Sequence, residues 1–248
     1  MSYIWHTFFF DPIYNGLVFF IDVIPGDDVG LSIIAITLVV KFLLLPLSIK
    51  AAKMQRVVRE LEPQMKELKE KYKDNREELA RATMAVYKDA GINPFSGIFL
   101  MFLQIPIVIA LYYSVLRGGG VALPGINTEL LYSFVPSPET VDMIFLGFVD
   151  IAQKSLPLAI LAGLTQFIHA HLSLPKSEPR KEGAVDMKAD FARSMNMNMR
   201  YVLPVIIGVV AYTLSASVAL YFLVSNLFAI GQEFILRRHR DSETISST

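Results

Sequence analysis

Lys41 is the residue whose type fits its surroundings least. The run from Val29 to Ile49 (VGLSIIAITLVVKFLLLPLSI) is otherwise almost wholly apolar. At helical rise its length is about 30 Å, the thickness of a bilayer's hydrocarbon core. Lys41 lies roughly half-way along, where an ammonium costs about 2.5–3.5 kcal/mol to insert. The next polar stretch begins at Lys50, about 13 Å away along a helix, further than a lysine stem can snorkel. Something wet or polar must therefore face Lys41 inside the membrane. Gln104 and Gln166 are the amides in the other apolar runs best placed to do so. They either line a polar groove or form hydrogen bonds between helices, typically worth about 0.6 kcal/mol each in lipid. Asn226 is expected to be structural. His169 and His171 resemble a metal pair only superficially. Two residues apart on a helix they point in different directions, no partner carboxylate lies beside them, and an interfacial place is expected. No metal and no cofactor is expected. Lys41 also has a structural reading, as a cation held by a backbone carbonyl or by Gln104. Glu233 near the end of the last apolar run is the only acid available for a buried ion pair.

The elements that must position these groups are membrane spans. Apolar residues make up 53% of the 248, yet 19% are charged, so the charges have to be segregated. Mean hydropathy is +0.46. There is no cysteine, hence no disulfide, thiolate metal site or lipidated cysteine. The first residues lack a basic n-region, so no cleaved leader is expected. Spans are read at residues 29–50, 94–117 and 156–174. A 36-residue apolar stretch, 201–236, is too long for one crossing and is read as a hairpin of two. Its break is expected at Thr213, Ser215 and Ser217, which leaves a fourth span near 13 residues, about 20 Å, short enough to thin the bilayer locally.

Orientation follows from lysine and arginine. Residues 1–28 have none, against four aspartates, and 118–155 have only Lys154. Residues 51–93 hold ten, 175–200 hold six and 237–240 hold three. These counts place 1–28 and 118–155 outside, and 51–93, 175–200 and the tail 237–248 in the cytoplasm. The fold class is thus all-α polytopic, with five transmembrane helices in the cell membrane, the N-terminus outside and the C-terminus inside.

Two regions do not span. Residues 11–24 begin with Asp11 as N-cap and Pro12 as first helical residue. Asp11, Asn15 and Asp22 recur at helical spacing, which reads as an amphipathic helix in the outer interface, with a signal-anchor as the alternative. Residues 51–93 read as a helical hairpin. Met54, Val58, Leu61, Met65, Leu68 and Tyr72 alternate by four and three, the seam of a coiled coil. Pro63 should kink the first arm, Asp74–Asn75 should break it, and Asn75 with Glu78 should cap the return helix. Forty residues exceed what a connection needs, so a docking role stands beside that of a solvated linker. Tyr112 and Tyr113 suit an outer aromatic belt, and Pro106 a mid-span kink.

Several motifs in register resemble the YidC/Oxa/Alb family of membrane protein insertases. They are Val40–Leu47 (VKFLLLPL) with Met54, Leu61 and Pro63; Tyr87-Lys88 and Gly91-Ile92-Asn93-Pro94; and Gln104-Ile105-Pro106-Ile107 with Ala110-Leu111-Tyr112-Tyr113. Ala162–Phe167 (AGLTQF) and Ala219–Asn226 (ALYFLVSN) are similar to the third and last spans. The resemblance covers about residues 8–238. It implies a five-helix core that inserts nascent membrane proteins, alone or beside the Sec translocon, without covalent chemistry, so no enzyme. It also implies that Lys41 occupies the place of a groove cation, usually arginine in the family, with Gln104 and Gln166 as groove candidates. Implied partners are nascent membrane proteins, the lipid bilayer, the Sec translocon and, through a short C-terminal tail, weak ribosome contact. No small-molecule substrate is expected. A small channel or transporter, and a membrane receptor for a targeting factor, remain alternatives. The first would normally show an internal inverted repeat, which is absent from the sequence, and the second would suit a three-span layout.

Overall fold

The computed structural model describes residues 3–73, 75–91, 96–117, 120–173 and 197–246. It is helical almost throughout. The principal helices are α1 (Asp11–Val23), α2 (Val29–Glu60), α3 (Glu62–Lys71), α4 (Arg76–Asp89), α5 (Ser96–Leu116), α6 (Leu156–Ser173), α7 (Leu203–Leu214) and α8 (Ala216–Ser246). One small hairpin, β1 (Ile144–Phe145) with β2 (Val149–Asp150), pairs Phe145 with Val149 and Ile144 with Asp150. Among the described residues three helices are long and apolar enough to cross a membrane: Val29–Val58, Leu156–Ser173 and Ala216–Arg238. Phe102–Leu116 and Asn198–Leu214 are shorter apolar helices. Residues 175–196 of the expected cytoplasmic loop, and Ile92, Asn93 and Pro94, lie outside the described residues.

The chain divides into two compact units, Met1–Lys41 with Ile107–Thr248, and Phe42–Pro106. In the first unit α6 packs on α7 and α8. Gly163 and Gly208 permit this: a Cβ at Gly163 would lie 3.3 Å from the Pro204 carbonyl oxygen and 3.6 Å from the Gly208 Cα. Without those hydrogens the two backbones could not approach so closely, and in lipid such contact replaces the missing hydrophobic drive between helices. The expected break falls at Ser215, whose extended backbone separates α7 from α8. α7 has 12 residues, but the π-helical Asn198–Val202 runs directly into it, so the apolar helix as a whole is Asn198–Leu214, longer than the fourth span expected.

The loop of residues 120–155 closes over that break. The N–H groups of Ala216 and Ser217, orphaned at the start of α8, donate to the carbonyls of Gln153 (2.7 Å) and Ile151 (3.1 Å). At the other end, Asp28 caps α2. Its Oδ1 accepts from Leu31 N–H at 3.0 Å and its Oδ2 from Leu146 N–H at 3.0 Å. Phe145 lies over Gly30, where a Cβ would collide with its ring.

The N-terminal segment departs from the amphipathic reading. Asp11 is not an N-cap: an α-helical turn (Tyr3–Trp5) and a π-helical stretch (His6–Phe10) precede it, and its carboxylate accepts from His6 Nδ1 at 2.8 Å. Asn15 is 2% exposed rather than solvated. Its side chain donates to the carbonyls of Asp11 and Leu130 (both 2.9 Å) and accepts from Tyr132 N–H at 2.6 Å. Tyr14 accepts from Asn127 N–H at 2.8 Å and packs in a cluster with Phe10, Val18 and Val135. The polar stripe thus holds the outer loop.

In the second unit, α2 runs without a break to Glu60, past the expected end of the span at Lys50. Strong helix formers follow Lys50, and nothing there stops the helix. The interruption expected from Pro63 falls just before it, as a break between α2 and α3. The chain turns at Leu61, and Pro63 sits in the first turn of α3, where its missing N–H costs nothing. Asn75 does cap α4, accepting from Glu78 N–H at 3.2 Å, although its own N–H goes to Tyr72 instead of returning to Glu78. Met65 is buried on the predicted seam, with Leu68 and Tyr72 partly so.

Candidate functional site

The polar side chains of the apolar helices fall into two groups. Ser32, Thr37, Ser114 and Thr165 donate back along their own helices, at 2.8, 2.6, 2.8 and 2.8 Å, to the carbonyls of Asp28, Ile33, Ala110 and Leu161. Such side chains need no solvent. Lys41 differs. It is half-buried, and among the described residues its ammonium has neither a hydrogen bond nor an ion pair.

Lys41 on α2 and Glu233 on α8 are the charges whose fields reach the His169 imidazole on α6. His169 is half-buried, and Gln166, also half-buried, stands three residues before it on the same face. His171 leaves this face. Its ring lies tilted against Phe167 at 4.6 Å between centroids and meets Tyr201 edge-on at 5.9 Å. The two histidines diverge, as their spacing requires, and among the described residues no metal-binding group of histidine and carboxylates occurs. Glu233 is engaged by Arg237 at 2.9 Å, and Arg237 also donates to the Leu172 carbonyl, tying α8 to the end of α6.

The rotation of α6 that presents Gln166 is set from behind. Asn226 on α8 donates to the Ala162 carbonyl (3.2 Å) and to Thr165 Oγ1 (3.3 Å). Asn226 is therefore structural, as expected from sequence. One turn before Lys41 the surroundings are apolar, a small pocket lined by Ile36, Val40, Ile107, Leu111 and Tyr221. A cation half-buried in an apolar helix can attract an acidic chain. It offers no nucleophile or paired acid and base.

Of the three sequence candidates, Lys41 and Gln166 belong to the first unit, and Gln104 to the second. Gln104 is half-buried and has bonded neighbours of its own. The sequence reading missed His169, because its charged neighbours lie far away in sequence, at positions 41 and 233. The polar face it shares with Gln166 was the available signal.

Outside the apolar helices two phenols are perturbed: burial and, after it, the Asp11 carboxylate push Tyr132 above its ordinary range. Burial pushes the Tyr14 phenol above its ordinary range, opposed by the hydrogen bond from Asn127.

Comparison with known proteins gives this arrangement a context. The profile of the 60Kd inner membrane protein family matches residues 20–243. The chain is 32% identical over 237 residues to membrane protein insertase YidC 1 of Halalkalibacterium halodurans, covering 94% of this chain and 79% of that one. It is 29% identical over 239 residues to membrane protein insertase MisCA of Bacillus subtilis, with the same coverage. Against membrane protein insertase YidC of Pelobacter propionicus it is 28% identical over 238 residues, 94% of this chain but 39% of that longer one. On this match, which spans nearly all of its helices, the chain belongs to the 60Kd inner membrane protein family, the YidC/Oxa family of multi-pass cell-membrane proteins.

Proposed function

We propose that this chain, a membrane protein insertase by family and not an enzyme, inserts nascent membrane proteins along a wet groove bordered by Lys41, Gln166 and His169. The observation that carries the reading is the Lys41 ammonium, half-buried in an apolar helix and without a partner among the described residues. A client with a short outer tail must move polar, often acidic, residues through a medium that strongly disfavours charge. A fixed cation half-way across attracts such a tail by about 1–4 kcal/mol at contact distance, depending on how wet the groove is. The apolar helix Asn198–Leu214, shorter than a full span, thins what remains of the barrier. The client then slides into lipid as its apolar segment is buried, and no bond is made or broken.

The topology belongs to the same proposal. Five spans run with the N-terminus outside and the C-terminus in the cytoplasm, with Asn198–Leu214 as the fourth span and α3–α4 as a cytoplasmic hairpin. The distribution of lysine and arginine supports it. The Sec translocon and, weakly, the ribosome are proposed partners beside the nascent clients. Gln104 lies in the other compact unit and enters as a residue to be tested by its own substitution, Gln104→Leu.

The test is insertion of a single-span client with a short acidic tail into vesicles holding the purified protein. Lys41→Ala should reduce insertion about fivefold or more, the effect of losing about 1 kcal/mol of attraction, and Lys41→Arg should retain it. A client whose tail acids are replaced by amides should respond much less to Lys41→Ala. Equal, normal insertion by Lys41→Ala and Lys41→Glu would remove the groove charge from the mechanism.

A further inference from the structure

The tip of the β1–β2 hairpin combines two features that a loop in water would avoid. Leu146 and Gly147 both have positive φ, 53° and 80°. Glycine takes this conformation freely, but for leucine the left-handed region costs about 1–2 kcal/mol, and Asn or Asp is the usual alternative to glycine there. The same leucine is 56% exposed, and Phe148, on the other side of Gly147, is 75% exposed. Neighbouring Phe145, by contrast, is 7% exposed against Gly30. The hairpin hides one aromatic ring in the protein and extends two other apolar side chains away from it.

Its position is fixed at two points. Leu146 N–H is held by Asp28, the cap of α2 one residue before the long apolar run. Val29 N–H donates to Asp142 and Asp142 N–H to Asp27, at 2.9 and 3.0 Å. On the far side, Ile151 and Gln153 cap the start of α8. The hairpin is thus bound to the ends of two membrane-crossing helices, at the level where hydrocarbon gives way to headgroups. Directly after it in sequence, Leu156, Ile160, Leu164 and Ile168 form an exposed apolar stripe along α6, a face suited to lipid in a multi-pass protein. Residues 118–155 carry four acids and one lysine, so anionic headgroups would repel this loop. What draws the tip in is apolar burial.

We propose that Leu146 and Phe148 form a lipid-immersed anchor, inserted into the interfacial region of the outer leaflet and continuous with the lipid-facing stripe of α6. The anchor holds the outer cap at a set depth across the starts of α2 and α8. It rests on the outward placement of residues 118–155 in the proposed topology.

Because the chain has no cysteine, single cysteines can report depth in the full-length protein. Leu146→Cys, Phe148→Cys and, as a loop reference, Ser137→Cys would each carry an environment-sensitive fluorophore. The protein would be reconstituted in phosphatidylcholine–phosphatidylglycerol vesicles, with iodide as aqueous quencher and a spin label near the acyl carbonyl as shallow lipid quencher. At positions 146 and 148 iodide quenching should be about threefold or more below that at 137, and the lipid label should quench strongly, as for side chains at a membrane interface. Adding Leu146→Asn, which suits the turn better, should move a probe at 148 towards water. Iodide quenching at 148 equal to that at 137 overturns the anchor, as does cross-linking of 148 to an inserting client in place of lipid. Topology is read separately, by impermeant maleimide on intact cells. Labelling of Ser137→Cys from outside upholds it, and labelling only after the cytoplasm is opened would sink the topology whatever the depth of the tip.

Discussion

The side-chain amide of Asn226 on α8 donates to Thr165 Oγ1 on α6 at 3.3 Å, one residue before Gln166. Thr165 donates its own proton along α6 to Leu161 at 2.8 Å, so its oxygen is free to accept. The Ala162 carbonyl accepts a second bond from the same amide. Helix α6 is thereby pinned in rotation, with Thr165 towards α8. Asn226→Leu should lower stability in detergent by about 0.6 kcal/mol, with about 1.7 as the upper bound for such bonds. A double-mutant cycle with Thr165→Val should show coupling of similar size in thermal unfolding. Strict additivity would mean that the bond fixes nothing.

What the sequence conveyed and what it withheld divide along a physical line. Lys41 was legible because a single charge in an apolar run is a local anomaly, and the break at Ser215 because small polar residues interrupt a stretch too long for one span. Asn75 was legible as a cap because its acceptor reaches only three residues on. Asn15 was read as solvated, since helical periodicity cannot reveal partners 115 and 117 residues away. The continuation of α2 to Glu60 was missed for the opposite reason: hydropathy changes at Lys50, but helix propensity does not. His169 depended on charges from two distant helices, and no local pattern encodes that.

Gly163 and Gly208 set the distance between α6 and α7. Gly163→Ala places its Cβ 3.3 Å from the Pro204 carbonyl, a contact that a shift of a few tenths of an ångström relieves. Gly163→Leu leaves no such remedy and should separate the helices, at about 1–3 kcal/mol, the usual cost of overpacking. The thermal midpoint should fall in the order wild type, Ala, Leu, and Gly208→Leu should match Gly163→Leu. Equal midpoints for all four proteins would show that the close approach carries no load.

The latch between α1 and the outer loop should respond to both substitution and alkali. Asn15→Leu leaves the Leu130 carbonyl and Tyr132 N–H without their partner, at about 1–3 kcal/mol for buried groups. Limited proteolysis of the loop from outside should accelerate, while the helical circular dichroism of the whole protein stays the same. The pH dependence follows from Tyr14, whose folded pKa lies above its ordinary value of 10.0. A raised value means that its stabilising contribution is complete below pH 10.0 and is lost only as pH climbs through the folded value. Protection of the loop should therefore be flat from neutrality to about pH 10 and decline above it, and Tyr14→Phe should abolish that alkaline decline. A loss of protection already at pH 8 would place the latch elsewhere.

The α3–α4 hairpin should be separable from assembly of the spans. No residue of α4 is buried, and its Arg81–Glu77 pair at 2.7 Å is solvent-exposed, where such pairs contribute little. Met65 on α3 is the buried member of the seam, so the two arms hold each other weakly. Both arms fall within the second compact unit, whereas Lys41, Gln166, His169 and the outer cap fall within the first. Deleting 57–86 should therefore leave a protein that reaches the membrane and retains the thermal midpoint of its remaining helices, while insertion of acidic-tailed clients falls. Client capture before insertion, measured by cross-linking a stalled nascent chain, should fall in the same proportion if the hairpin serves delivery and not the fold. If the deletion instead abolishes stable membrane assembly, the hairpin is a structural strut, and its length needs an explanation from packing alone.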